Sequence, residues 1–335
     1  MPSIQGRATG TVMIIDFDKK ISEFKDKIKR AETIALFCHL SPDGDTICSA
    51  LSLYSALNAM GKKCFLICED EIPQRFSFLM NGAVFLKEIA EKIDLAISVD
   101  TSNLSRLGAN ASKTYLKAYD TIAIDHHFSH ENFGSLTILD ETSSSCSEIV
   151  FDIIKEIAAL NSEIAKLIFA GMISDNGCFL FSSVSSKTHA VASELYKYDF
   201  DKENIIYNII RKQTLPAFNL TNRVLSKCRF YEDDKIAIII FRAEDFLSTQ
   251  TTSADTEGII SRLIDIEPVL IAFAISEVNE FCYKVSVRTK SDKINAAECA
   301  AVFGGGGHVR AAGCRVHGRL EDVVDRLIKA GKDIL

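Results

Sequence analysis

Aspartate and histidine side chains occur at or just after the ends of three apolar runs of this chain, where metal ligands are often found. The runs TIALFCHL, LAISV and TIAI are typical of short buried strands. Carboxylate oxygens combined with neutral imidazole nitrogens suit manganese, iron or zinc, whereas a site of oxygens alone favours magnesium or calcium. The residues with this chemistry are His39, Asp43, Asp45, Asp100, Asp125, His126, His127 and Asp175, the last of which closes the helical stretch LIFAGMISD.

The spacing of these residues favours two metal ions. Asp43 and Asp45 are separated by one residue and can reach different ions, while Asp100 can bridge them. Two ions roughly 3.5–4 Å apart hold the attacking and leaving oxygens of a phosphoryl group. Any one of these residues alone is more often a helix cap or a turn residue. Their joint occurrence at predicted strand ends predicts a two-metal centre for phosphoryl chemistry.

A second motif is the run Gly304-Gly305-Gly306-Gly307 followed by His308. Consecutive glycines make poor helix or strand, but they allow a backbone to approach a ligand closely, and their amides can form a concavity for an anion. The run lies between a predicted helix and a predicted strand, where a flexible linker is not expected. Arg288, at the end of another predicted strand, carries a planar guanidinium suited to phosphate, although an arginine there is more often simply solvated.

The elements that position these residues change type along the chain. Strands and helices alternate at first, which indicates an α/β domain with a doubly wound parallel sheet whose strand ends line a ligand crevice. A strand, a helix near Ala254–Ile264, a strand pair turning at Asn279 and a further helix indicate a smaller α+β domain. We predict a catalytic domain over residues 1–212, a helical linker over 213–228 and a C-terminal domain over 229–335.

Composition limits the partners of this chain. Its 335 residues include 45 acidic and 38 basic side chains, a formal charge of −7. This balance argues against a protein that coats long duplex nucleic acid, but it allows a small anionic substrate in a local basic pocket. No secretory signal and no apolar run long enough to span a membrane are visible, and the ten scattered cysteines suggest reduced thiols. We therefore expect a cytoplasmic protein without a membrane partner.

Together these motifs resemble the DHH phosphoesterase family, in the group with a DHH-associated C-terminal domain. The matching pieces, in the family's order, are HLSPDGD, SVDTS, DHH, ISDNG and FGGGGHVRAAG. They cover nearly the whole chain and are highly specific. The two-domain size is similar to the bacterial nano-RNase and 3′-phosphoadenosine-5′-phosphate phosphatase group. The resemblance implies hydrolysis of short oligoribonucleotides to 5′-mononucleotides, removal of phosphate from the bisphosphorylated nucleotide, or both.

The resemblance also implies a role for each residue of the predicted centre. Manganese is the family's usual metal. Asp125 would orient a ligand histidine, and His127 would face the substrate and protonate the leaving ribose oxygen or stabilise charge beside it. The implied ligands are His39, Asp43 and Asp100 for the first ion, and Asp45, Asp100, His126 and Asp175 for the second.

Substrate binding is expected from both predicted domains. The resemblance implies that Arg288, His308 and the run Gly304–Gly307 hold a phosphate or the terminal nucleotide, and that Arg106 also reaches a phosphate. A homodimer is our working expectation. The alternatives are a stand-alone phosphodiesterase for cyclic di-AMP or its linear dinucleotide, a catalytically silent nucleotide sensor, and a metal store. Intact ligand positions argue against the sensor, and the glycine–histidine run argues against the store.

Overall fold

In a computed structural model of the chain, which describes residues 9–256 and 258–335, the apolar runs of the N-terminal part form a six-stranded sheet. Its strands are β1 (Thr33–Phe37), β2 (Lys63–Ile67), β3 (Phe85–Leu86), β4 (Leu95–Val99), β5 (Asp120–Asp125) and β6 (Leu136–Leu139). They lie in the order β3-β2-β1-β4-β5-β6, and every neighbouring pair is parallel. The predicted α/β class and parallel sheet are confirmed.

Both faces of this sheet are covered, because successive side chains of a strand point to opposite sides. In β1, Ile34 and Leu36 join one apolar core, whereas Ala35 and Phe37 join a second core that contains Tyr115. The sheet is therefore doubly wound, as predicted. The helices are α1 (Thr9–Arg30), α2 (Gly44–Ala59), α3 (Ala109–Lys117), α4 (Cys146–Ile157), α5 (Ser162–Asp175), α6 (Ser186–Leu195) and α7 (Lys202–Ile206).

The strand order reverses direction between β1 and β4. From β1 the chain moves outward through β2 to β3, and it then returns to place β4 on the other side of β1. In open α/β sheets the crevice outside the carboxyl ends of two such strands is the usual ligand site. The residues after β1 and β4 are thus placed at the edge of one crevice.

Two glycines allow helices to approach each other closely behind this crevice. A Cβ at Gly171 would lie 2.0 Å from Ser147 Oγ, and a Cβ at Gly44 would lie 2.2 Å from Ser174 Oγ. Any larger residue would push α5 away from α2 and α4. The close packing brings the end of α5, and with it Asp175, to the carboxyl edge of the sheet.

The C-terminal part forms a second sheet of six strands. They are β7 (Arg229–Tyr231), β8 (Ile236–Phe241), β9 (Ile271–Asn279), β10 (Cys282–Thr289), β11 (Gly306–His308) and β12 (Ala311–His317). The order is β11-β12-β10-β9-β8-β7, with β8 and β9 parallel and the other pairs antiparallel. The helices are α8 (Leu215–Leu225), α9 (Ala243–Thr249), α10 (Ser261–Ile264), α11 (Ala296–Ala301) and α12 (Leu320–Lys332).

Local predictions for this part have mixed outcomes. The strand pair β9–β10 is confirmed, and the Asn279 side chain accepts a hydrogen bond from Phe281 N in its turn. The single helix predicted near 254–264 is wrong, because Gly258 adopts a left-handed φ of +76° and separates the 3₁₀ turn Ser253–Thr256 from α10. Helix α8, in the segment predicted as a linker, packs into an apolar core with β8.

The chain divides into two compact units, Met1–Lys212 and Gln213–Leu335. The first contains the parallel sheet and the second contains the mixed sheet. Among the helices that the structure describes, none combines the length and apolar character needed to cross a bilayer.

Candidate metal centre

The carboxyl edge of the parallel sheet brings the predicted ligands together around Asp100. Its two carboxylate oxygens lie 3.6 Å from His39 Nε2 and 3.4 Å from His126 Nε2. Asp43 Oδ2 is 3.7 Å from His39 Nε2, and Asp175 Oδ2 is 3.5 Å from His126 Nε2. Ligand atoms within 4.8 Å of one another form three groups, which are Asp100–His126–His127, His39–Asp43–Asp100 and Asp45–His126–Asp175.

Asp100 holds its central position through an unusual backbone conformation. Its φ is +55°, in the left-handed region, while its amide donates to Ile124 O at 2.9 Å. An L-residue in this region costs about 1–2 kcal/mol, and such strain is often found at functional sites. The side chain is buried, and Oδ1 has no hydrogen-bond partner among the described residues. A buried carboxylate oxygen without a donor is suited to a cation.

Asp43 and Asp45 are held by backbone amides at the starts of two helices. Asp43 caps α2, because its Oδ1 accepts from Asp45 N and Thr46 N while Oδ2 faces His39. Asp45 is fully buried and accepts from Cys146 N at 2.6 Å and Ser147 N at 2.9 Å, at the amino end of α4. Helix amino termini attract negative charge, but burial and the neighbouring carboxylates of Asp100 and Asp175 still raise the pKa of Asp45 well above its ordinary value.

Backbone carbonyls set the orientation of the two predicted ligand histidines. His39 Nδ1 lies 2.8 Å from Leu40 O, and His126 Nδ1 lies 3.3 Å from Ser143 O. A carbonyl can only accept, so Nδ1 carries the hydrogen in these contacts, and Nε2 is the nitrogen that faces the carboxylates. This arrangement is the usual one for histidine ligands of metals. Arg106 Nη2 lies 3.3 Å from His39 Nδ1, which places Arg106 beside the centre.

Asp125 orients other histidines than His126. Its Oδ1 lies 2.7 Å from His127 Nδ1 and its Oδ2 lies 2.8 Å from His130 Nδ1. From His126, Asp125 accepts a hydrogen bond of the backbone amide rather than of the ring. The carboxylate therefore holds the ring that the sequence predicts to face the substrate, with Nε2 of His127 left free.

Carboxylates outnumber cationic side chains in this cluster, and the pKa values reflect it. Burial raises the pKa of Asp175 to about 6. Burial also acts on Asp100 and raises its pKa, but the imidazoles of His126 and His39 that face the carboxylate outweigh this effect and hold that pKa well below the usual range. Burial lowers the pKa of His39 and His126, yet Asp100 outweighs this effect and raises both to about 10. The cluster thus stabilises positive charge strongly, and the donor set fits divalent cations.

Two predicted substrate residues of the second unit, Arg288 and His308, lie on strands of the mixed sheet that are separated by β12. Ala311 of β12 pairs with His308 of β11 on one side and with Arg288 of β10 on the other. The three residues form one row across the sheet, so Arg288 and His308 lie on the same face about 10 Å apart. Burial removes water from the Arg288 guanidinium and lowers its pKa.

The glycine run is partly a strand, contrary to the expectation that it makes poor strand. Gly306 to His308 form the edge strand β11, and Gly304 adopts a left-handed φ of +72°. A Cβ at Gly305 would lie 2.3 Å from Gly313 O, and one at Gly307 would lie 2.5 Å from Ala311 O. Glycine is needed there because only hydrogen fits against β12. A Cβ at Gly306 would meet open space.

Four residues that support the centre were not predicted from the sequence. His130 shares Asp125 with His127, Ser143 accepts from His126, and Ser144 and Glu148 hydrogen-bond to each other. The pattern Ser145-x-x-Glu148 is a signal for a helix start, and Ser145 does accept from Glu148 N. The Glu148 side chain turns instead to Ser144, which spacing alone does not reveal.

Family models match both units of the chain. The DHH family N-terminal domain matches residues 33–172, and the DHHA1 domain matches residues 234–335. These ranges contain the strands that carry the metal cluster up to α5, and the mixed sheet with the glycine run.

Proteins of known name and structure resemble the chain over most of its length. A "probable bifunctional oligoribonuclease and PAP phosphatase NrnA" of Streptococcus mutans is 31% identical over 310 residues, covering 88% of this chain and 93% of that protein. The "bifunctional oligoribonuclease and PAP phosphatase NrnA" of Thermus thermophilus is 28% identical, covering 90% of both. The crystal structure of an exopolyphosphatase-related protein from Bacteroides fragilis superposes with a TM-score of 0.87 at 27% identity, covering 94% of this chain and 96% of that one.

These similarities extend across both units, and the range of the DHH match contains the residues of the metal cluster except Asp175. They confirm the predicted resemblance and the prediction of a hydrolase for phosphate esters. The chain belongs to the DHH family of phosphoesterases, in the group that carries a DHHA1 domain.

Proposed function

We propose that this protein uses divalent metal to hydrolyse short oligoribonucleotides to 5′-mononucleotides and to remove phosphate from 3′-phosphoadenosine 5′-phosphate. The observation that carries the proposal is the cluster around Asp100, with its unpartnered Oδ1, at the point where the strand order reverses. The names of the relatives in S. mutans and T. thermophilus support both substrates.

The proposed ligands divide into two overlapping sets. His39, Asp43 and Asp100 would hold one ion, as their mutual distances support. A bound pair of divalent ions would lower the pKa of a water and neutralise charge on the phosphoryl oxygens. The second ion would be held by Asp45, Asp100, His126 and Asp175.

His127 would act on the leaving group. Burial lowers its pKa, but the hydrogen bond with Asp125 outweighs this and raises the pKa above its ordinary value. A proton is thereby retained on Nε2, the nitrogen that does not contact Asp125, and can be delivered to the leaving ribose oxygen. Arg106, beside His39, would bind a phosphoryl oxygen through its guanidinium.

Arg288, His308 and the glycine run would bind a second phosphate or the terminal nucleotide. Arg288 and His308 lie on one face of the mixed sheet, and the open space over Gly306 leaves room for a ligand close to the backbone. A face with a guanidinium, an imidazole and little side-chain bulk suits a phosphate.

Manganese as the metal, a cytoplasmic location, a homodimer and a poor affinity for long duplexes stay predictions. Each has its own measurement: metal content by mass spectrometry, fractionation, light scattering and binding to duplex RNA. The cyclic-di-AMP alternative is included in the activity test below.

The test is a substrate panel with manganese present. We expect rapid hydrolysis of a diribonucleotide, a pentaribonucleotide and 3′-phosphoadenosine 5′-phosphate, and slow hydrolysis of cyclic di-AMP. Asp120→Asn, which changes a carboxylate at the opposite edge of the sheet, is the matched control for variants of the centre. A preference for cyclic di-AMP over all linear substrates, or no hydrolysis of any of them, would contradict the proposal.

A further inference from the structure

Glu148 is a buried carboxylate to which neither the proposed ligand set nor the core assigns a role. It lies in the first turn of α4 and is fully buried. Its Oε2 accepts from Ser144 N at 3.2 Å, Ser144 Oγ at 2.8 Å and Thr188 Oγ1 at 3.0 Å. Its Oε1 has no hydrogen-bond partner among the described residues. Burying an incompletely bonded carboxylate costs free energy, so packing alone does not account for it.

A simple ion pair does not account for Glu148 either. The nearest cation is Lys187, whose Nζ lies 3.9 Å from Oε1. The same Nζ lies closer to Asp152 Oδ2, at 3.0 Å, and to Asp140 Oδ2, at 3.2 Å. The charge of Lys187 is therefore directed mainly to these other acids, and Glu148 is held by the hydrogen bonds from Ser144 and Thr188.

Ser144 connects Glu148 to His126. The residue before it, Ser143, provides the carbonyl that lies 3.3 Å from His126 Nδ1. Because Glu148 binds both the amide and the hydroxyl of Ser144, it fixes the peptide that presents this carbonyl. The orientation of the His126 ring thus depends on the hydrogen bonds between Glu148 and Ser144, although the ring itself contacts the Ser143 carbonyl.

Ser144 also connects Glu148 to the turn after Asp175. Asn176 Nδ2 donates to Ser144 Oγ at 3.4 Å, and Asn176 Oδ1 accepts from Phe179 N at 2.9 Å. Next to these asparagine contacts the chain is strained at Cys178 and Phe179, which have left-handed φ values of +56° and +68°. Such a turn persists only where its surroundings hold it, and fully buried Asn176 is the residue that does so.

We propose that Glu148 is a positioning residue of the metal centre, acting through Ser144 on both His126 and the turn that follows Asp175. The inference rests on the proposed function, because it requires His126 and Asp175 as ligands. Both belong to the same candidate group, with Asp45, and neither belongs to the group of His39, Asp43 and Asp100. Loss of Glu148 should therefore weaken one ion more than the other.

The test is calorimetric titration of the metal-free full chain with Mn²⁺ alone. For Glu148→Ala we expect one of the two binding events to weaken by about 10–100-fold and the other to change by less than about 3-fold. At limiting Mn²⁺, kcat for a diribonucleotide should fall while KM stays constant. Glu148→Gln keeps an oxygen for the Ser144 and Thr188 donors, so it should restore the affinity to within a few-fold of wild type.

Two further variants separate positioning from stability. Ile153→Ala removes a buried apolar side chain from the same helix and should lower the midpoint of thermal unfolding without changing either Mn²⁺ affinity. Ser144→Ala keeps Glu148 but breaks both hydroxyl contacts, and it should weaken the same binding event as Glu148→Ala. If Glu148→Ala does not fold, Ser144→Ala provides the same test.

The outcomes distinguish this inference from the function on which it rests. A wild-type protein that binds no Mn²⁺ overturns both. A wild type that binds two ions and hydrolyses the panel, together with a Ser144→Ala or Glu148→Ala variant of unchanged Mn²⁺ affinities, overturns only the role of Glu148. Equal loss of affinity in Ile153→Ala overturns it as well, because the effect would then follow from stability alone.

Discussion

The carboxyl edge of the parallel sheet and the exposed face of the mixed sheet that carries Arg288 and His308 bring their candidate functional residues together in different ways. The first gathers residues from separate loops into a buried, carboxylate-rich cluster around Asp100. The second places Arg288 and His308 in one row of three adjacent strands, beside exposed glycines. Loops at strand ends can converge on a small ion, whereas a strand row presents an extended surface to a larger anion.

The two regions also differ in what destabilises them in the absence of a ligand. Asp100 and the turn after Asp175 have strained left-handed φ values, and the carboxylate of Asp100 is buried, which favours a bound cation. The glycine run is adapted to close backbone packing against β12 rather than to charge. The stability of the first region should therefore depend on bound metal, and that of the second on close backbone packing. The following predictions test that difference.

The largest effect is expected for Asp100→Ala. Asp100 is the one residue shared by the two proposed ligand sets, so its loss should remove both ions and lower kcat by roughly 10³-fold or more. Metal content by mass spectrometry and turnover of a diribonucleotide measure this. We expect the variant to fold, because it removes a buried carboxylate whose Oδ1 has no hydrogen-bond partner among the described residues. Retained manganese-dependent hydrolysis would contradict the assignment of Asp100.

Metal itself should stabilise the two units unequally. Manganese at about 100 times its dissociation constant should add about 2.7 kcal/mol to the stability of the state that binds it. Hydrogen exchange should slow in β1 and β4 on addition of manganese and should return to its initial rate with a chelator. Equal protection of β10 and β12 would show that the division between the regions is wrong.

Two adjacent glycines of the second region should respond differently to the same substitution. Gly307→Ala places a Cβ 2.5 Å from Ala311 O at a φ of +148°, so it should destabilise the protein by about 1–3 kcal/mol. Gly306→Ala meets open space and should change stability by less than about 0.5 kcal/mol. Urea unfolding of both variants gives the comparison, and equal losses would refute the packing role.

His308→Ala should affect binding rather than chemistry. We expect KM for a diribonucleotide to rise roughly tenfold, with kcat and manganese affinity unchanged, because one exposed phosphate contact is lost. Lys329→Ala removes a cation from α12, on the covered side of the same sheet, and should leave KM unaltered. A fall in kcat without a change in KM would instead place His308 in the chemistry.

The smallest effect concerns a carboxylate at the amino edge of the parallel sheet. Burial raises the pKa of Asp120, but the hydrogen bond from Lys27 outweighs it and holds the pKa below the ordinary value. A carboxylate whose pKa is lower in the folded than in the unfolded chain stabilises the fold at pH values above its unfolded-state pKa. This stabilisation is lost as the pH falls through its folded-state pKa. Asp120→Asn should thus cost under about 1 kcal/mol at pH 7, and the difference should close below about pH 4. Urea unfolding at both pH values measures it.

Much of the fold was predictable because its signals are local. Fully apolar runs in alternation with helices identify a parallel sheet, and β1, β4 and β5 lie where the runs TIALFCHL, LAISV and TIAI predict them, to within three residues. Other elements were missed despite similar signals. Helix α12 is absent from our predictions, although Val323, Leu327 and Ala330 are buried at helical spacing. Short strands such as β3 and β11 depend on pairing partners distant in sequence, which local patterns do not contain.

By itself, the sequence determined the type of chemistry in this protein. Carboxylates and imidazoles at successive strand ends must converge in a doubly wound sheet, so the ligand candidates and the phosphoester substrate followed from residue type and order. Only the tertiary structure decided which groups orient them: Asp125 holds His127 rather than the ring of His126, Ser143 holds His126, and Glu148 holds Ser144. Hydrogen bonds have a reach of about 3 Å and a direction, and neither can be read from positions along a chain.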